Sequence, residues 1–245
     1  MSRNSVLEGS SSGVQVIRET QEHILDVALR LMQTGGYHAF SYADVAAEVG
    51  ITKASVHYHY PAKADLGTAT LRQYRVWWQE QLHLLTAAPK KMPGGTLGAR
   101  EPGTAALLRS YSRVYRDMLR NGRICLVAAL AHECLLLPEN MQAELRGFYT
   151  EHEAWLAGAL QAGRDAGTLT AAGPLHVQAQ ALISALHGAQ GLARVQGNVY
   201  RYCAVAHLTL AGLGLPFTEL EISDPAAFEA QEAHAGTPKP GLTFA

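Results

Sequence analysis

The chain has 245 residues, of which 48% are hydrophobic, enough to bury a substantial core in one large domain or in a small domain joined to a larger one. A formal net charge of -1 gives no general attraction for nucleic acid, a membrane surface or an acidic partner, so any such function must rest on a local motif. The three cysteines, Cys125, Cys134 and Cys203, are too few and odd in number for a disulfide framework. No apolar run is long enough to cross a bilayer, and a cytoplasmic protein without cofactor or metal is expected.

Residues 1–16 are rich in Ser, Asn and Gly, lack the apolar core of a signal peptide, and predict a flexible arm. Residues 17–34 then carry Ile24, Ala28 and Leu31 at helical spacing, and Gly35 and Gly36 stop that helix. Tyr37 and Phe40 anchor the loop that follows.

Residues 41–63, SYADVAAEVGITKASVHYHYPAK, predict two short helices around a tight turn. Ser41 is a suitable N-cap, and Asp44 stands where a carboxylate suits the positive end of the helix dipole. Val45, Ala46 and Val49 form one apolar face, and Gly50 ends the helix because it adopts positive φ without a Cβ clash. Thr52 caps the second helix, which Pro61 terminates. Val56 and Tyr60 are spaced to pack inward, leaving Lys53, Ser55, His57 and Tyr58 outside. A cation, a hydroxyl, an imidazole and a phenol on one short helix suit hydrogen bonding to base edges and phosphates in a major groove, while small Ala54 allows close approach. Charge sets a limit on this reading: Arg18, Arg30, Lys53, Lys63, Arg72 and Arg75 are balanced by Glu19, Glu22, Asp26, Asp44, Glu48 and Asp65. Attraction to phosphate must therefore come from local placement rather than from a large basic surface.

The run from Gly50 to Lys63, followed by Asp65 and Leu66, resembles the signature of the TetR family of transcriptional regulators. The likeness extends backwards through Gly36, Tyr37, Phe40 and Ser41 to the helix with Ile24, Ala28 and Leu31. His57 departs from it, since the family has Tyr directly before the position of Tyr58; a groove-facing contact changes from phenol to imidazole. The resemblance implies DNA contacts at Ser41, Tyr42, Lys53, Ala54, Ser55, His57, Tyr58, His59 and Lys63. Lys53 and His57 are the candidates for base reading, while Ser41, Ser55, Tyr58, His59 and Lys63 are the candidates for holding phosphate. An N-terminal arm in such proteins can also touch the minor groove, through Arg3 or Arg18 here.

A long helix is expected over 64–86, entering a second domain at Trp77, Trp78 and Leu82, and the Pro- and Gly-dense stretch 89–103 is expected to be a loop. Helices resume at Thr104 with the stripe Leu108, Tyr111, Tyr115 and Met118, ending at Asn121 and Gly122. Further helices are expected over 124–137, 139–166, 174–196 and 198–213. Without sustained alternation of apolar and polar residues the fold class is all-α. The expected organisation is an arm at 1–16, a three-helix helix-turn-helix DNA-binding domain at 17–62, a larger helical ligand-binding and dimerisation domain at 63–215, and a tail at 216–245.

By the resemblance, helices 174–196 and 198–213 form a four-helix interface between two copies, which would grip a palindromic double-stranded operator. A small-molecule effector, apolar with one polar or anionic group, would release it. Tyr111, Tyr115, Met118, Cys125, His132, Phe148, Trp155 and His187 are candidate walls for that effector, because each lies on an apolar helix face and several bring a polar tip. A cysteine switch is the alternative mode of control, with Cys125 and His132 on one helical face so that the imidazole lowers the thiol pKa. Catalysis finds no support: there is no nucleophile elbow, no phosphate-binding Gly-Lys loop and no His-Glu-x-x-His pair.

Overall fold

The computed structural model describes residues 8–86, 103–170 and 172–215, with side chains of the first helix described from residue 17. Among these residues the regular elements are helices alone. Helices α1 (Glu8–Gly35), α2 (Tyr42–Val49) and α3 (Lys53–His59) pack together at the N-terminal end. Ile24, Ala28 and Leu29 of α1 meet Val45 of α2 and Val56 of α3 in the buried core. Each turn of this unit is set by chemistry a few residues away. Ser41 and Asp44 form a reciprocal capping box at the start of α2. Gly50 ends α2 at φ 78°, and the Thr52 hydroxyl accepts from the Ser55 N–H to start α3.

Helix α4 (Lys63–Thr86) leaves this unit and runs into the body, where α5 (Thr104–Arg120) and α7 (Glu139–Asp165) pack on it, and α8 (Leu175–Val195) and α9 (Val199–Gly212) pack on α5 and on each other, with α8 also against α7. Trp78 and Tyr74 of α4, Tyr111 and Tyr115 of α5 and Phe148 of α7 are fully buried at the centre. The short α6 (Leu126–Ala131) lies against α1 and joins the two parts.

Two expectations are corrected. The first helix begins at Glu8 rather than at residue 17, so the proposed arm is helical over part of its length. Apolar periodicity marks only the buried face of a helix, and a terminal extension that continues beyond it leaves no such mark. The single helix expected over 124–137 is instead α6 followed by a 3-10 turn, Cys134–Leu136, whose Leu135 and Leu136 are exposed. The stretch is apolar on both sides of His132 and Glu133, and no Gly or Pro marks the break between them. The stretches 1–7, 87–102 and 216–245 lie outside the described residues, and with them the rest of the arm, most of the expected loop and the tail.

Candidate nucleic-acid interface and interior site

Helix α3 is held from behind. Val56 is fully buried, and the Tyr42 hydroxyl donates to the Tyr60 carbonyl at 2.6 Å, which ties the end of α3 to α2. With Val56 inward, Lys53, Ala54, His57 and Tyr58 are exposed on the outer face, Tyr58 to 77%. The His57 ring rests against Tyr42 at 4.4 Å between centroids, and its Nδ1 lies 3.4 Å from the Pro61 carbonyl, a long contact in which only the ring can donate. Nε2 is the ring nitrogen this contact leaves for hydrogen bonding to a base edge. Ser55 is half-buried with its hydroxyl 2.8 Å from that of Thr52, and His59 is half-buried against Tyr58. Ser41 is exposed, its N–H and hydroxyl both donating to Asp44, which holds that carboxyl below its ordinary range.

Two of the residues expected at DNA are turned inward. Tyr42 is buried, its hydroxyl is used on Tyr60, and burial pushes its pKa up to about 12, so it braces α3 from within. Lys63 points back into the head: its ammonium donates to the Phe40 carbonyl and sits 4.7 and 4.4 Å from the centroids of Tyr37 and Phe40. Burial there lowers its pKa. A carbonyl and two aromatic faces solvate the charge, which explains why it is withheld from the surface. The outer face of α3 thus presents the Lys53 side chain beside an imidazole, a phenol and the small Ala54.

In the body, the structure gathers the candidate wall residues except His132. Tyr111 and Tyr115 share a hydrogen bond of 2.8 Å between hydroxyls, and both rings pack on Trp78. Trp155 lies 5.4 Å from Tyr111, and His187 lies 5.3 Å from Tyr115. The Tyr74 hydroxyl reaches the Met118 sulfur at 3.9 Å and stacks its ring on Phe148, bringing the neighbourhood of Cys125 into the same cluster. His132 is exposed and lines a separate open groove of about 320 Å³ with Gln33, Glu133 and Arg194. The pairing of Cys125 with His132 is therefore overturned. α6 is too short to hold the two on one face: Cys125 precedes it and His132 follows it. The thiol is fully buried and burial pushes its pKa up to about 11, partly offset by the Tyr74 hydroxyl, so reactive thiolate is scarce.

Sequence reasoning passed over His152 and Tyr74, and read Trp78 only as part of the apolar entry into the second domain. His152 is 1% exposed, stacks on Phe148 at 3.7 Å and is shifted down to about pKa 4 by desolvation. Its signal was its register with Met141, Leu145, Phe148 and Leu156 on the buried stripe of α7. The α4–α7 contact was likewise invisible in sequence. Arg72 bonds Glu144 at 3.0 Å, and Arg75 grips both Glu144 and Glu151. A Cβ at Gly147 would stand 2.6 Å from the Arg75 guanidinium carbon, so this glycine makes room for the clasp. The helix that leaves the reading unit is thereby fixed to the helix that carries Phe148 and His152. Among the described residues no set of His, Cys, Asp and Glu gathers for a metal, and no helix is long and apolar enough to cross a membrane.

Residues 24–70 match the family of bacterial regulatory proteins described as the tetR family. Over 52 residues the chain is 40% identical to the HTH-type transcriptional regulator AcrR of Shigella flexneri, covering 21% of this chain and 24% of that protein. It is 26% identical over 155 residues to the HTH-type transcriptional regulator RutR of Escherichia coli strain K12, covering 61% of this chain and 66% of that one. The alignments thus span about a quarter and just under two thirds of these relatives. The crystal structure of a TetR family transcriptional regulator from Agrobacterium tumefaciens superposes with a TM-score of 0.72 at 29% identity, covering 80% of this chain and 98% of that one.

Proposed function

Because the chain belongs to the TetR family of bacterial regulatory proteins, we propose that it is a cytoplasmic transcriptional repressor that binds a palindromic operator as a homodimer and is released by a small-molecule effector. The observation that carries the reading is α3 itself: a capped seven-residue helix, anchored by buried Val56, presenting Lys53, Ala54, His57 and Tyr58 to solvent. Lys53 and His57 read bases, while Ser41, Ser55, Tyr58 and His59 hold phosphates and Ala54 admits close approach. Lys63 and Tyr42 act from inside, by posing α3. Residues 17–62 form the reading domain and 63–215 the effector and dimerisation domain.

Exposed apolar side chains on α8 and α9 support the dimer: Leu192 at 64%, Val195 at 85% and Leu208 at 72% exposure would be covered by a second copy. A two-fold pair of heads spaces two recognition helices roughly 34 Å apart, one turn of the duplex. In the body, Tyr111, Tyr115, Met118, Phe148, Trp155 and His187, joined by Trp78 and His152, receive the effector. The α4–α7 clasp carries a shift in that site to the heads.

Gel-shift and footprinting on genomic fragments test the reading: two protected half-sites are expected, with a dimeric mass in sedimentation. Lys53→Ala and His57→Ala should change which bases are preferred. Lys63→Ala should weaken binding to all sequences alike and leave the salt slope unchanged, because its ammonium does not reach phosphate. A chain that stays monomeric at micromolar concentration with DNA present, and retards no fragment, would refute the proposal.

A further inference from the structure

The body holds two buried imidazoles whose outer nitrogens have no partner among the described residues. His152 Nδ1 lies 2.9 Å from the Phe148 carbonyl, and a carbonyl can only accept, so the proton sits on Nδ1 and Nε2 keeps a bare lone pair. That Nε2 is buried and unpartnered. His187 Nε2 is also buried and unpartnered, although the residue as a whole is half-buried. Its Nδ1 lies 3.3 Å from the Tyr149 hydroxyl, which can donate or accept, so His187 Nε2 can take either role. Both rings lie roughly parallel to Phe148, at 3.7 and 6.4 Å between centroids. Beside them the Trp78 indole N–H, a donor only, is buried and without hydrogen-bond geometry to any described residue, though the Tyr74 hydroxyl is close enough to feel it. A native core leaves a few such atoms per hundred residues, and Gln33 Oε1 and Gln73 Oε1 are two more among the described residues, but three gathered in one cluster of aromatic rings point to an occupant.

Resting on the effector reading above, we propose that the effector is a neutral, flat molecule carrying both a hydrogen-bond donor and an acceptor, received by His152, His187 and Trp78. Its donor meets His152 Nε2, its acceptor meets the Trp78 N–H, and His187 adapts to whatever remains. An acid is disfavoured because a carboxylate would face the lone pair of His152, and burial keeps that ring neutral. An amine is less well suited because Glu144 and Glu151 of α7 are already taken by Arg72 and Arg75 and Glu153, on the Tyr149 side, accepts from Gln180, so no carboxylate meets the three nitrogens themselves. The surrounding faces of Trp78, Tyr111, Tyr115 and Phe148 suit a planar ring.

The test uses the full chain and four probes of one size: benzamide, benzoate, benzylammonium and toluene, titrated by calorimetry at neutral pH. Benzamide is expected to bind at least about tenfold more tightly than either charged probe. In His152→Phe it should lose its advantage over toluene while toluene binding is kept, and Trp78→Phe provides the same comparison should the first variant not fold. Benzoate or benzylammonium binding as well as benzamide would overturn the neutral class and leave the effector site standing. If none of the four binds while specific DNA binding persists, the effector site itself fails and the DNA-reading proposal survives. A crystal structure with benzamide bound away from these nitrogens, each held by an ordered water, would also overturn the assignment.

Discussion

The reading unit and the body are built in opposite ways. In the head, the caps and the turn are made by residues close in sequence, Ser41 with Asp44, Thr52 with Ser55, and the Gly50 N–H with the Ala46 carbonyl, while the Tyr42–Tyr60 and Lys63–Phe40 bonds brace the unit from behind. In the body the polar contacts join distant segments. Gln190 accepts from the Cys125 N–H at 3.0 Å and donates to the Tyr115 carbonyl at 2.9 Å, and the Tyr202 hydroxyl donates to the Ser112 carbonyl at 2.7 Å. Local caps set the turns of the head, while Tyr37, Gln33 and Thr34 tie it to the body through Glu133, Ile124 and Arg194. A body pinned by long-range contacts between α5, α6, α8 and α9 couples those helices to one another, which is what the proposed effector response requires.

The largest way to break this contrast is Trp78→Ala. Its ring is fully buried against Tyr111, Tyr115, Phe148 and His152, and removing it should lower stability by about 3–5 kcal/mol. Tyr58→Ala, by contrast, removes a ring that is 77% exposed, and should change stability by less than about 0.5 kcal/mol while weakening operator binding. Denaturant titration and gel-shift of both variants measure the separation; equal stability losses would erase it.

Next in size is Gln190→Leu, which strands the Cys125 N–H in a buried site, while the Tyr115 carbonyl keeps its bond within α5. An unpaired buried group costs about 1–3 kcal/mol, and a loss of that size is expected in chemical denaturation. A loss near zero would mean that α6 and α5 do not depend on α8, contrary to the long-range character argued for the body.

Acid should sharpen the contrast further. Burial lowers His152 to about 4 and His187 to about 3 from an ordinary 6.5, so between these values the unfolded chain binds more protons than the folded one. Stability is then unaffected by these groups above about pH 6.5, and falls as pH drops from there toward about 4, by up to about 1.4 kcal/mol per pH unit for each histidine. His152→Phe should flatten the slope of a pH series of melting curves in that window, and an unchanged slope would mean that this ring is not the buried neutral group described.

How much of this was legible follows the same division. The caps at Ser41 and Thr52, the stop at Gly50 and the inward Val56 could be read from sequence because each acts over one turn of chain. Most body helices were legible from their stripes and glycine stops. The break after Ala131 was not, because Leu135 and Leu136 extend an apolar run that stays in solvent. Nor were the inward turns of Tyr42 and Lys63, since a surface motif does not reveal that Tyr60 and Phe40 offer carbonyls behind it. His152 and Gln190 were hidden for a related reason: a polar residue on a buried stripe acquires its role only when another helix brings its partner.

The smallest expected effect tests whether the head is as local as its contacts suggest. Gly50 stands at φ 78°, ψ 30°, and a Cβ there would meet no atom within 4 Å. Steric crowding by neighbours is thus absent, and the cost of Gly50→Ala is the backbone strain of a left-handed L-residue, about 1 kcal/mol. Asn tolerates that region better and should cost less than Ala. The orientation of α3 rests on other contacts, namely Val56 in the core and the Tyr42 hydroxyl on Tyr60. Gly50→Ala should therefore melt slightly earlier yet bind operator with unchanged affinity well below its melting temperature. If operator binding were lost in a variant that remained folded by circular dichroism, the turn would be setting the pose of α3 directly, and the head would be more tightly coupled than its short-range caps imply.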